Sequence, residues 1–240
     1  LTLVRDGESK PLVISIVRDI IKIESVYSRL IENENMLYVR VVSFDKNIVG
    51  DVKEAIQKNK SVKGIVLDLR NNPGGLLNQA VELVDLFVDE GVIVSQKGRV
   101  ESDNAEYKAS KSGTLTKMPL VVLVNGGSAS ASEIVSGALQ DHKRAIIIGE
   151  KTFGKGSVQA VLPVVDNEAI RLTIARYYLP SGRTIQAEGV TPDLIVYPGE
   201  VPHKNNEQLL KEKDLKKHLE SELKKAEEAK PDTKDKDKNK

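Results

Sequence analysis

The sequence predicts an α/β fold, a layered core in which helices cover a largely parallel sheet. Two short apolar segments, residues 64–69 and 119–124, are typical of strands buried on both faces. Each is followed by a turn and then by apolar residues at helical spacing, the order expected of strand–helix–strand units. After Ser157 the pattern consists of strands alone. We therefore expect an α/β core with additional β-strands.

The first sixty residues favour strands followed by one helix. Residues 1–4 and 13–23 are rich in apolar and β-branched side chains. In residues 37–42, the side chains alternate in character with the two-residue period of a strand. An apolar stripe from Ile48 to Ile56 then indicates the first helix. Because nothing before residues 1–4 can pair with them, we interpret this strand as the last one of a domain whose remainder lies upstream.

The middle of the chain alternates strands and helices. The strand at 64–69 runs into Asn72-Pro73-Gly74-Gly75, and apolar residues at 80–88 indicate the next helix. The strand at 119–124 precedes a turn of small residues and a helix predicted over 129–139. The remaining predicted strands cover residues 92–95, 145–148, 158–165, 170–178 and 194–196.

A charged tail follows Pro202, where lysine, glutamate and aspartate replace large apolar residues. Leu215, Leu219 and Leu223 at helical spacing indicate one weak helix, and residues 230–240 have the composition of a disordered segment. We expect this tail to be solvated and dispensable for chemistry.

The composition excludes several classes of protein. A net charge of +1 gives no electrostatic argument for nucleic-acid binding, and no apolar run reaches the roughly 18 residues of a membrane span. With no cysteine there is neither a disulfide, a thiolate metal site nor a cysteine nucleophile. Three histidines leave hydroxyls, carboxylates, lysines and backbone amides as the main chemical groups. The chain also starts without an export segment, which we expect to lie upstream.

The candidate nucleophiles are the serines of Ser128-Ala129-Ser130-Ala131-Ser132-Glu133. A serine at the first turn of a helix lies near unpaired backbone N–H groups and the positive end of the helix dipole, which together stabilise an oxyanion. The alternative is that these small residues cap the helix and allow close packing.

Three residues compete as the base for such a serine. His142 lies at the far end of the same predicted helix, more than roughly 15 Å away by helix rise, and is expected to cap it. Lys46, in Ser43-Phe44-Asp45-Lys46, falls at an exposed strand-to-helix turn. Lys155 lies between Gly154 and Gly156, where no neighbouring side chain prevents entry into a confined pocket.

Lys155 also belongs to a rival motif. Residues 149–155 fit G-x-x-x-x-G-K, a nucleotide phosphate-binding loop, directly after a predicted strand. However, Gly156 occupies the Ser/Thr position that would bind Mg²⁺, and a strand is predicted where the phosphate-binding helix should begin. The context therefore disfavours nucleotide binding.

Taken together, residues 67–75, 128–133 and 152–159 resemble the carboxyl-terminal processing proteases. These are serine peptidases with a Ser/Lys dyad, a crotonase-like or Clp-protease-like α/β core and an inserted PDZ domain. The resemblance covers residues 1–196. It implies a remnant of the last PDZ strands at 1–10, a serine protease core at 11–201, and a charged tail at 202–240 that is partly helical and then disordered.

The resemblance also implies the roles of individual residues. Ser130 matches the nucleophile, Lys155 the general base, and Gln159 the residue that orients the lysine. The backbone N–H groups of Gly75 and Ala131 match the oxyanion hole. No metal and no cofactor is expected.

Further expectations concern partners and location. The family implies protein or peptide substrates with apolar carboxyl termini, no nucleic acid, a homo-oligomer, an adaptor protein, and the bacterial cell envelope or periplasm. The competing function is that of a catalytically idle relative that binds or scaffolds other proteins.

Overall fold

The structure is a computed structural model that describes residues 1–17, 19, 24–165, 168–197, 199 and 210–215. These residues form three α-helices, α1 (Ile48–Lys58), α2 (Leu77–Asp85) and α3 (Ala131–Asp141). They also form twelve strands: β1 (Thr2–Leu3), β2 (Leu12–Val13), β3 (Val26–Ile31), β4 (Met36–Val41), β5 (Gly64–Asp68), β6 (Gly91–Gly98), β7 (Ala105–Ala109), β8 (Leu120–Val124), β9 (Ile146–Gly149), β10 (Ser157–Pro163), β11 (Ala169–Tyr178) and β12 (Leu194–Ile195). No helix within this described part is long and apolar enough to cross a membrane.

A six-stranded sheet forms the centre of the molecule, in the order β12-β9-β8-β5-β4-β3. All its neighbouring strands are parallel except β3, which pairs with β4 in the antiparallel direction at one edge. The continuous apolar runs of β5 and β8 are largely buried, as expected for parallel strands covered by helices. The predicted α/β class with a parallel sheet is confirmed.

Because β5 and β8 are neighbours, the turns that follow their carboxyl ends lie side by side. Two asparagines join these turns: the Asn71 N–H donates to Asn125 Oδ1 at 2.9 Å, and Asn125 Nδ2 donates to Asn71 Oδ1 at 2.9 Å. The first turn leads to α2 and the second to α3. The sheet therefore brings together two segments that are more than fifty residues apart in sequence.

A second sheet is antiparallel, in the order β10-β11-β6-β7. Its edge strand β10 begins two residues after Lys155, and a β-bulge lies between Val158 and Gln159. The strand predicted at 158–165 is thus present as β10. The loop that carries Lys155 connects the parallel sheet to this antiparallel one.

Some predicted elements differ from the structure at the start of the chain. The strand at 1–4 shortens to β1, which pairs with β2 in the antiparallel direction. Of the predicted strand at 13–23, only β2 is regular; residues 18 and 20–23 lie outside the described residues. The ribbon β1–β2 spans the predicted boundary after residue 10, and that boundary stays a prediction.

Two strands escaped prediction. β3 carries Tyr27 and Leu30 half-exposed at the sheet edge, and β7 is a short strand whose half-buried face consists of Ala105, Tyr107 and Ala109. β3 has no clear buried face in its sequence and so lacks the alternation on which a strand prediction depends. β7 does alternate, but over five residues only and with alanines, which have little preference for strands.

Only residues 210–215 of the predicted charged tail are described. They contain a 3₁₀ turn, Glu212–Asp214, whose neighbour Lys211 contacts the loop before Lys155. Lys211 and Glu212 thus contact the core, whereas residues 213–215 are exposed, and the solvated tail as a whole stays a prediction. Leu219, Leu223 and residues 230–240 lie outside the described residues.

Candidate active site

Ser130 occupies the N-cap position of α3 with φ 54° and ψ −112°. A residue other than glycine rarely adopts this conformation, which costs about 1–3 kcal/mol and is found mostly at functional sites. The Ser130 side chain is partly exposed, although α3 itself is buried from Ala131 to Leu139. The strained turn thus presents one hydroxyl at the edge of a buried helix.

The two neighbouring serines have structural partners instead. The Ser128 hydroxyl is fully buried and donates to the Leu69 carbonyl at 2.7 Å. The Ser132 hydroxyl is fully buried and donates to the Asn72 carbonyl at 2.9 Å. The packing interpretation of the serine cluster therefore holds for these two, and Ser130 is the one of the three that solvent can reach.

Glycines at 74 and 75 allow the turn after β5 to approach Ser130. A Cβ atom on Gly74 would lie 2.9 Å from both the Ser130 Cβ and the Ala131 nitrogen, and Gly74 has φ 102°. The Phe44 N–H donates to the Gly74 carbonyl at 2.9 Å, which fixes the turn from its other side. Within the described residues, neither the Gly75 nor the Ala131 N–H has a protein acceptor. Both amides are consequently available to a ligand.

Glu133 connects this turn to the loop that carries Lys155. Its carboxylate is fully buried, and one oxygen accepts the backbone N–H groups of Ser130 at 2.8 Å and Lys155 at 2.9 Å. The other oxygen accepts the Gly154 N–H at 2.7 Å and the Thr152 hydroxyl. One side chain therefore holds the candidate nucleophile and the candidate base in a fixed relation.

Two opposing effects act on the Glu133 carboxyl. Burial raises its pKa above the ordinary value, while the hydrogen bonds from Thr152, Ser130, Lys155 and Gly154 oppose that rise. Three of these four donors are backbone N–H groups, which can only donate. Their arrangement favours a carboxylate that accepts on both oxygens.

The sequence analysis did not identify Glu133. The signal was nevertheless present, because a serine followed by glutamate three residues later is the spacing of a helix capping box. What the pattern could not show is that the same carboxylate also reaches the loop around Lys155.

Glycines 154 and 156 allow close backbone packing around Lys155. A Cβ atom on Gly156 would lie 2.6 Å from the Gln186 nitrogen, and Gly154 has φ 104°. The Ala187 N–H donates to the Gly154 carbonyl at 2.7 Å, and Gly156 donates to Gln186 Oε1 at 3.0 Å. These glycines are required by the backbone of the loop, and the Lys155 side chain between them is partly exposed.

Gln159 lies four residues further along, on β10 next to the bulge. Its side chain is exposed, and it forms no hydrogen bond to the Lys155 side chain among the described residues. The structure therefore places Gly74 against Ser130 and Ala131, and Glu133 bonds the Ser130 and Lys155 amides. Contact between the Gln159 and Lys155 side chains is not part of this arrangement, and the catalytic roles of these residues stay predictions.

A second buried carboxylate fixes the beginning of the glycine turn. Asp68 accepts bonds from Arg70 Nε at 2.9 Å, Arg70 Nη2 at 2.7 Å and the Tyr38 hydroxyl at 2.6 Å. Burial alone would raise the pKa of Asp68, but the bonds from Arg70 and Tyr38 hold it below its ordinary value. This ion pair, also missed from sequence, supports the turn that leads to Gly74 and Gly75.

The rival residues are placed elsewhere. His142 is the C-cap of α3, with Nε2 2.7 Å from the Val92 carbonyl, as expected from its position at the far end of the helix. Lys46 is exposed in the turn before α1. Lys155 is followed by strand β10, so the helical context of a phosphate-binding loop is missing.

Comparison with known proteins decides the family. Residues 35–196 match the model of peptidase family S41. The chain belongs to this family. The resemblance to carboxyl-terminal processing proteases and the predicted fold class are thereby confirmed.

Several proteins similar to this chain are named as carboxyl-terminal processing proteases. A carboxy-terminal-processing protease of Bartonella bacilliformis is 47% identical over 226 residues, 91% of this chain and 52% of that protein. The carboxy-terminal processing protease CtpA of Bacillus subtilis is 39% identical over 183 residues, 75% of this chain and 39% of that protein. The solved photosystem II D1 C-terminal processing protease matches with a TM-score of 0.65 and 36% identity, over 76% of this chain and 50% of that one. The chain thus spans about half the length of these relatives.

Proposed function

We propose that this chain is the catalytic core of a serine endopeptidase that cleaves proteins near their carboxyl termini. The relatives named as processing proteases support this activity. The observation that carries it is the link made by Glu133, which ties the strained N-cap Ser130 to the loop of Lys155.

In the proposed reaction, the neutral Lys155 amine takes the proton of the Ser130 hydroxyl as that oxygen attacks the scissile carbonyl. The same lysine then protonates the leaving amine, and water hydrolyses the acyl-enzyme. The N–H groups of Gly75 and Ala131 bind the oxyanion, and each such donor contributes about 10²–10³-fold to kcat in comparable sites. No cofactor enters this scheme.

Gln159 is proposed to orient the Lys155 amine. Its support is the family resemblance and its place at the start of β10, close in sequence to the lysine. Gln159 is exposed and does not contact the Lys155 side chain in the structure. We therefore expect this contact to form when substrate covers the site.

The decisive experiment measures hydrolysis of an unstructured protein that ends in apolar residues. Ser130→Ala and Lys155→Ala should abolish cleavage, whereas Ser132→Ala, which removes a structural hydrogen bond, should retain it. Cleavage should persist with a chelator and without ATP. Cleavage that survives in Ser130→Ala would exclude the dyad, and a folded parent that binds such proteins without cutting them would favour the scaffold function.

The wider proposals concern location and partners. We propose that the protein acts in the bacterial cell envelope or periplasm on proteins with apolar carboxyl termini, and that it forms a homo-oligomer and uses an adaptor protein. Size measurement in solution and fractionation of cells that express the full-length protein would test the oligomer and the location.

A further inference from the structure

Lys211 and Glu212 contact the loop before Lys155, and we call these two residues the C-terminal clasp. We propose that the C-terminal clasp is a positioning element for the catalytic base, in which Lys211 and Glu212 keep the Lys155 loop in its working conformation. This inference rests on the proposed function. It assigns a catalytic purpose to a segment whose sequence suggests only a solvated tail.

The direct contacts involve three successive carbonyl groups of the loop. The Lys211 ammonium donates to the Lys151 carbonyl at 2.7 Å and lies 3.3 Å from the Thr152 carbonyl. The Glu212 N–H donates to the Phe153 carbonyl at 3.2 Å. The clasp therefore occupies the acceptors on the amino-terminal side of Lys155.

An indirect contact reaches the carboxyl-terminal side of Lys155. Glu212 Oε1 accepts a hydrogen bond from Gln186 Nε2 at 3.3 Å. The other end of the same amide, Gln186 Oε1, accepts the Gly156 N–H at 3.0 Å. Glu212 is thus connected to the loop on both sides of the lysine.

Backbone hydrogen bonds hold part of the loop, since the Thr152 N–H donates to the Val190 carbonyl at 3.1 Å and the Phe153 N–H to the Ser128 carbonyl at 3.0 Å. Two further anchors act on other backbone groups of the loop. The N–H groups of Gly154 and Lys155 donate to Glu133 on α3, whereas the carbonyls of residues 151–153 accept from the C-terminal clasp. Removing either anchor leaves one set of groups without its partner. Because the base must lie within hydrogen-bond reach of Ser130, a small shift of the loop is expected to slow the reaction.

The charge of Lys211 strengthens its contacts. Burial lowers the pKa of its ammonium, and the nearby carboxylates of Glu150 and Glu133 oppose that effect. A charged donor on a carbonyl forms a stronger hydrogen bond than a neutral one. The Asp214 carboxylate closes the turn by accepting the Lys211 N–H at 3.0 Å.

The test compares Lys211→Ala with Lys211→Arg and Lys213→Ala in the full chain. Lys213 is exposed on the same turn, so it is a matched control, and arginine can still donate to the loop carbonyls. Steady-state kinetics with a fluorogenic peptide would give kcat and KM, and hydrogen exchange would report on the amides of residues 150–157. Melting temperatures would confirm that each variant folds.

For Lys211→Ala we expect kcat to fall about tenfold while KM stays within about twofold, because the base moves and the substrate contacts do not. Exchange at residues 150–157 should become faster while the amides of β5 keep their protection. Lys211→Arg should recover most of the rate, and Lys213→Ala should match the parent in both measurements.

Different results would contradict the proposed role of the C-terminal clasp and the proposed function. An unchanged kcat or unchanged exchange in Lys211→Ala would overturn the clasp, and a raised KM at constant kcat would show a substrate contact instead. Ser130→Ala and Lys155→Ala in the same assay test the dyad itself. If the parent proves inactive, the exchange measurement still decides the clasp, since unchanged exchange at residues 150–157 refutes it.

Discussion

Replacing Glu133 by glutamine tests the link between nucleophile and base most directly. Glutamine has the same shape, but one oxygen becomes an NH₂ group that cannot accept a hydrogen bond. In the more tolerable orientation, the NH₂ group faces the Thr152 hydroxyl and the Gly154 N–H. The hydroxyl can rotate to accept, whereas the Gly154 N–H is left without a partner.

The cost can be estimated from these contacts. A buried N–H left unpaired costs about 1–3 kcal/mol, and the bonds from Ser130 and Lys155 lose about 1 kcal/mol more when the acceptor loses its charge. Part of this is offset because a neutral amide is less costly to bury than a carboxylate. After this offset, we expect Glu133→Gln to lower the free energy of unfolding by about 1–3 kcal/mol.

Urea unfolding and peptide hydrolysis measure the two consequences. The urea midpoint should fall at an unchanged m-value, and kcat should fall at least tenfold because the base loop loses its anchor. Glu54→Gln is the matched control, since Glu54 is exposed on α1 and forms a surface ion pair with Lys58. Its urea midpoint should equal that of the parent. A Glu133→Gln protein with the parent's midpoint and kcat would refute the argument, because it would show that an ionised carboxylate is not needed there.

Three further predictions use other parts of the site. Asp68→Asn should lower the melting temperature at pH 7. Since the pKa of Asp68 is lower in the folded than in the unfolded protein, its stabilisation is present above roughly pH 4 and is lost as the pH falls through the lowered pKa. The difference in melting temperature between Asp68→Asn and the parent should therefore narrow in acid. Gly74→Ala should abolish hydrolysis and destabilise the fold by about 1–3 kcal/mol, because the new Cβ atom would clash with Ser130 and residue 74 has a positive φ. Gly50→Ala is the control: nothing lies within 4 Å of a Cβ atom at this position of α1, so the variant should have a higher melting temperature and keep its activity. Ser130→Gly should be inactive yet about 1 kcal/mol more stable than Ser130→Ala, since glycine relieves the strained φ of 54°; equal urea midpoints for the two variants would contradict this.

The sequence predicted the parallel sheet because its central strands, β5 and β8, are covered on both faces and are therefore continuous apolar runs. β3 escaped prediction because its exposed positions remove the alternation of a half-buried strand, and β7 because its short alternating pattern consists largely of alanines, which have little preference for strands. The small-residue turn at Ser130 and the glycines at 74 and 75 were also recognisable, since each has a local conformational reason to be there.

Glu133 and Asp68 escaped prediction for a different reason. Their partners come from other elements, and the number of donors around a buried carboxylate depends on tertiary structure. The C-terminal clasp escaped for the same reason, because the charges of Lys211 and Glu212 look like those of a solvated tail until the loop they contact is known. The composition of a segment indicates how it is solvated, but it does not show which carbonyl groups of the folded protein the segment contacts.

The neighbouring positions of β5 and β8 have a consequence for how the site tolerates change. Adjacent strands are spaced about 4.8 Å apart by backbone hydrogen bonds, whatever side chains they carry. The separation of the glycine turn and the Ser130 turn is therefore inherited from the sheet backbone, and apolar replacements within β5 or β8 should alter stability before they alter that separation. Backbone hydrogen bonds, such as that from the Phe153 N–H to the Ser128 carbonyl, fix only part of the Lys155 loop. The rest of its position depends on side-chain contacts with Glu133 and with the C-terminal clasp. Substitutions that change the catalytic rate should therefore lie mainly at the contacts of this loop, while the distance between the glycine turn and the Ser130 turn stays constant.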